Sequence, residues 1–161
     1  MLEALLWAAA VVLAGLSALS WLPFVHLRLS TIAPLVLPLF LAAMGGFGRG
    51  VLLALAVGKE KATAELRAAP RWVRAGWVGT FCYALLVGWF EMEAYRGQPM
   101  ATSAGFFLKD HGKIVGTLTE AAYWQAARAE VRLFTAFALL FAFWGAAGGS
   151  YGSEPEQSRA D

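Results

Sequence analysis

The stretch LEALLWAAAVVLAGLSALSWL, residues 2–22, carries a single charged side chain, Glu3, and is otherwise apolar apart from two serines. A helix rises about 1.5 Å per residue, so about 20 such residues match a hydrocarbon core about 30 Å thick. Three further stretches have the same character: Thr31–Val57, Trp72–Ala94 and Leu133–Gly149. Four spans take up more than half of 161 residues and leave too little chain for a separate soluble core. The composition agrees, with 59% hydrophobic and 15% charged residues and a mean hydropathy of +0.58. The expected fold is an all-α membrane protein, with four transmembrane helices in an antiparallel bundle and a short β-hairpin before the last helix. The spans are placed at about 2–22, 31–57, 72–94 and 121–149 and the hairpin at about 105–118, in one domain of residues 1–150. Residues 151–161, polar and rich in Ser, Gly and Glu, read as a disordered tail.

The first stretch also ends in Ala18-Leu19-Ser20, small residues of the kind that precede a signal-peptide cleavage site. No Lys or Arg precedes its apolar region, which exceeds the usual length of about 7–15 residues, so an uncleaved span is expected. The second stretch is the least regular. Pro34 and Pro38 fall in its first half, and Met44-Gly45-Gly46-Phe47-Gly48-Arg49-Gly50 interrupts its middle. Two readings stay open: one kinked helix, or a span followed by an interfacial segment at Val51–Val57. Arg49 is expected to reach the interface, since a charge inside a bilayer is costly. Lys59 to Ala69 reads as a short, solvated helix ended by Pro70.

Trp and Tyr residues bracket the third span, as interfacial anchors do, and Glu91 and Glu93 are expected at the membrane surface. Cys82, the single cysteine, reads as a small apolar packing residue. Phe106–Lys109 and Ile114–Thr117 read as two strands around Asp110-His111-Gly112, with Gly112 supplying a positive φ. Thr119 reads as the N-cap of the last helix. That helix carries an aromatic seam (Tyr123, Phe134, Phe137, Phe141 and Trp144, with Glu130 among them). A second seam, of Thr135, Ala138, Ala142, Gly145 and Gly149, is small enough for close helix packing. Arg128 and Arg132 lie opposite Glu130 and are expected to face headgroups or another helix, with Trp124 stacked on Arg128. Glu130 is expected to need a cation from another segment, with Arg28 and Arg96 the best placed.

No pattern specifies an enzyme. No nucleophile elbow and no phosphate-cradling glycine loop is present, no cofactor is expected, and the dispersed charges suggest no nucleic-acid partner. His26, His111, Glu91 and Glu93 are candidate metal ligands by residue type, though their spacing forms no metal motif. Asp110, His111, Gly112, Tyr123, Arg128, Glu130 and Arg132 form the candidate functional surface.

Phe107-Leu108-Lys109-Asp110-His111-Gly112-Lys113-Ile114-Val115, with Thr119, Tyr123, Arg132 and Phe134 beyond it, resembles a set of small bacterial membrane proteins of uncharacterised function. Those proteins have four spans and a His-Gly, Thr-x-x-x-Tyr, Arg-x-Phe region before the last one. The matching positions are His111, Gly112, Thr119, Tyr123, Arg132 and Phe134. Where that group continues with Ser-Gly-His-Trp, this chain has Thr135-Ala136-Phe137-Ala138. The resemblance implies a bacterial cytoplasmic membrane and names no reaction. The expected partners are the lipid bilayer, other membrane proteins and a second copy through small-residue helix faces. The expected role is structural or accessory; a small transporter, or a metal-dependent enzyme using His111 and nearby acids, is the alternative.

Overall fold

The computed structural model describes residues 2–94 and 97–149. In chain order the elements are α1 (Leu2–Ser20), α2 (Leu29–Val57), α3 (Lys59–Ala68), α4 (Arg71–Ala94), β1 (Gln98–Thr102), β2 (Gly105–Asp110), β3 (Lys113–Leu118) and α5 (Glu120–Gly149). Helices α1, α2, α4 and α5 are each long and apolar enough to cross a membrane. The expected tail and Arg96 lie outside the described residues, as does the side chain of Glu93.

α2 is one continuous helix, with no break in the glycine-rich stretch 44–50. Pro34 and Pro38 lie inside it, and each removes one backbone donor from the helix ladder. α2 stops at Gly58, whose φ of 85° and ψ of 155° lie outside the helical region. A Cβ is strained at such a φ, so glycine fits this break. The short polar helix α3 follows and ends before Pro70. Arg49 is exposed, directed away from the other helices.

α5 is the hub. It packs against α1, α2 and α4, and alanines supply much of its buried surface: Ala127, Ala136, Ala138, Ala142 and Ala146 are all buried. Small side chains let backbones approach, and the closest approach is at Gly145. A Cβ there would lie 2.9 Å from the Phe47 amide nitrogen and 3.0 Å from the Gly46 carbonyl carbon. Gly46 in turn faces Leu6 of α1, so three helices meet at one point. The seam of Thr135, Ala138, Ala142 and Gly145 therefore faces inward. Part of the aromatic seam fills the bundle, while Phe137 is exposed: Phe134 and Phe141 lie against Phe40, and Phe47 lies against Phe141 and Trp144. At the end of the bundle nearest the amino terminus, Trp7 meets Trp72 and the edge of Phe143.

The connection before α5 holds three strands, not the two expected. β1 adds to the hairpin, giving an antiparallel sheet in the order β1-β2-β3. Asp110 pairs with Lys113, so His111 and Gly112 form a two-residue turn, with φ of 46° and 87°. Positive φ at both central residues is the hairpin turn whose twist matches the strands. The register shifts between Leu108 and Lys109, so β3 has one more residue than its partner here. Thr119 caps α5, its Oγ1 accepting from the Ala122 amide at 3.2 Å.

Candidate functional site

The polar groups gather at the sheet end of the bundle, in two layers along α5. The deeper layer centres on Arg132, 8% exposed. Its Nε donates to Glu91 Oε1 at 2.6 Å and its Nη1 donates to the Ser20 carbonyl at 2.8 Å. Its guanidinium carbon lies 4.5 Å from the centroid of the Trp21 ring. Ser20 Oγ donates to the Ser17 carbonyl at 2.6 Å, Ser17 Oγ and the Tyr83 hydroxyl share a 2.6 Å hydrogen bond, and Trp21 Nε1 donates to Tyr83 at 3.2 Å. One network thus ties the end of α1 to α4 and α5. Distance along the helices explains the meeting. Ser20 lies about 27 Å from the start of α1 and Glu91 about 30 Å from the start of α4, close to one hydrocarbon thickness. Arg132 is the cation that α5 brings to that level.

The outer layer is the connection 21–28, folded against the first turns of α5. Arg128 Nη1 donates to the Pro23 carbonyl at 2.8 Å. Arg28 lies over two rings, with its guanidinium carbon 4.6 Å from the Trp124 centroid and 5.2 Å from that of Tyr123. His26 meets Trp124 edge to face at 4.5 Å. Trp124 Nε1 donates to Glu120 Oε1 at 3.4 Å. Phe106 of β2 stacks on Tyr123 at 4.8 Å and seats the sheet on α5.

Several expectations are corrected here. Arg132 pairs with Glu91, so Glu91, expected at the membrane surface, is a nearly buried ion-pair partner within the bundle. Trp124 carries Arg28, from another segment, and not Arg128. Arg28 does not serve Glu130, which among the described residues has neither hydrogen bond nor ion pair. Cys82 faces outward from α4 instead of packing in the core. His111 has a side chain 94% exposed at the hairpin tip, with Nδ1 2.7 Å from Asp110 Oδ1. Asp110, His111 and Gly112 form the turn at that tip, whereas Tyr123, Arg128 and Arg132 lie on α5. No three His, Cys, Asp or Glu among the described residues are placed to hold a metal ion, so His26, His111 and Glu91 do not form a centre.

The sequence did not single out Ser17, Ser20, Trp21 or Tyr83 as a network. The available signal was a pair of serines one turn apart near the end of an apolar helix, beside a Trp. Comparisons with protein-family models, curated proteins and solved structures found no match for this chain. Fold and site define its class: four membrane-length apolar helices with a polar network and a small sheet at one end.

Proposed function

We propose that the protein is an integral membrane protein, of a bacterial cytoplasmic membrane, with a structural or accessory role exercised through contacts with other membrane components. The observation that carries this reading is the outer surface of the bundle. Large apolar side chains stand exposed along the outside of three helices: Val11 at 72%, Leu55 at 74% and Trp89 at 68%. Water does not tolerate so much apolar surface on a monomer, whereas a bilayer covers it. The accessory role is supported by how the buried charges are used. Arg132 and Glu91 neutralise each other and join helices, leaving neither open to a substrate.

The membrane reading is tested by washing membranes with alkaline carbonate, which strips peripheral proteins. The protein should remain in the pellet. Release into the supernatant would remove both parts of the proposal.

A further inference from the structure

We propose that Arg28 and Arg128, set around Trp124, form a binding site for the phosphate of an anionic phospholipid headgroup. The inference rests on the membrane reading above. Among the described residues, the side chain of Arg28 makes no hydrogen bond and no ion pair, and its Nε is buried without a partner. Two aromatic rings, inclined at 68° to each other, lie 4.6 and 5.2 Å from its guanidinium carbon. A guanidinium presents its N–H donors in its own plane, in a fork that matches a phosphate, and with Nε buried the two Nη groups are the donors that can meet one. Arg128 follows Trp124 by one helical turn and so lies on the same face of α5. It donates to the Pro23 carbonyl, and no carboxylate pairs with it among the described residues. Glu120 is the acid on this face, and it accepts from the Trp124 indole.

Depth selects the ligand. If Arg132 marks the hydrocarbon edge, Arg128 lies about 6 Å further out along α5 and Trp124 about 12 Å. The headgroup layer extends about 5–8 Å beyond the hydrocarbon. Arg128 then stands at phosphate level, and Trp124 with Arg28 lies about 4–7 Å outside the layer, a distance that an extended arginine side chain spans back toward it. Trp21 and Phe24, both exposed in the same connection, suit this interface, and Phe24 is 72% exposed. A phospholipid phosphate is therefore favoured over a free one, because the exposed Trp21 and Phe24 beside the site offer an apolar surface to the lipid that carries it.

The test uses the full chain in nanodiscs of phosphatidylcholine with one-fifth phosphatidylglycerol, with retained lipid counted by native mass spectrometry after release. The wild type should retain phosphatidylglycerol beyond its share of the bilayer. Arg28→Ala and Arg128→Ala should each lower that enrichment about fivefold, while Arg67→Ala, on α3 at the opposite end, should leave it unchanged. Arg28→Lys keeps the charge without the planar fork; partial loss in this folded variant supports the site even where Arg28→Ala does not fold. Equal enrichment in wild type and both alanine variants would overturn the proposal. So would release of the lipid by millimolar inorganic phosphate, which would make the ligand a free oxyanion. Failure of the wild type to enter nanodiscs would instead overturn the membrane reading, and this site with it.

Discussion

Arg132 and Glu91 show what a charge does when no water is near. Each has a side chain only 10% exposed, so desolvation offsets most of their attraction, and the pair by itself is weak evidence of stability. Their geometry matters more. The Ser20 carbonyl would otherwise face the end of α1 without a donor, and Arg132 supplies one. Breaking the pair from one side leaves an uncompensated buried charge. Glu91→Gln should therefore cost about 3–5 kcal/mol, read as a clear fall in the melting temperature in detergent. Adding Arg132→Met should recover part of that loss, because no buried charge then remains. A double variant as unstable as the sum of the two single changes would mean that the residues act independently. This pairing was not legible in the sequence. Glu91 lies 41 positions before Arg132, and only the near-equal distances of Ser20 and Glu91 from their helix starts bring them to one level. The acid nearest in sequence, Glu130, lies on the opposite side of the helix, so local spacing excluded one partner for Arg132 without naming the right one.

At the scale of elements, two kinds of information were read with different success. The four apolar helices were legible, because run length and hydropathy are properties of single segments. So was the His111-Gly112 turn, which needs positive φ at two successive positions. The third strand was not: β1, Gln98–Thr102, contains Pro99 and no alternating pattern, and becomes a strand only by pairing with β2. The hub position of α5 was half legible, through its seam of small residues. That seam makes a specific demand. A side chain at Gly145 meets the backbone of α2 at Gly46 and Phe47, which has no rotamer to change. Gly145→Leu should separate α2 from α5 and cost at least the about 1–3 kcal/mol typical of overpacking. Phe137→Leu, at a position 38% exposed, should cost clearly less, and Gly148→Ala, with nothing within 4 Å of its added Cβ, should be nearly neutral. Thermal unfolding in one detergent ranks the three. Equal tolerance would place the α2–α5 contact elsewhere.

For the whole molecule, the chain path decides what shares a side. α1 and α4 finish at the sheet end and α2 and α5 begin there, so the connection 21–28 and the three strands lie together, while α3 lies at the other end with the amino terminus. Basic residues are shared almost evenly. Among the described residues, Arg28, Lys109, Lys113, Arg128 and Arg132 belong to the sheet end, and Lys59, Lys61, Arg67, Arg71 and Arg74 to the other, towards which Arg49 of α2 also lies. Orientation is governed by Lys and Arg close to the spans, with acids counting little. At the sheet end Arg132 is buried against Glu91, and Lys109 and Lys113 lie out on the strands. Under the proposed membrane reading, the other five, concentrated in the short run from Lys59 to Arg74, favour the cytoplasm for that end. The sheet, with its His111 tip, would then face the opposite side. Cysteines at Ser103 and Lys61 in a Cys82→Ala background report this directly. A membrane-impermeant maleimide applied to spheroplasts, whose cytoplasmic membrane is intact, should label position 103, and position 61 should react only after lysis. The reverse pattern would invert the molecule and put the proposed headgroup site in the cytoplasmic leaflet, where its two arginines would add to the basic charge that holds that side inward.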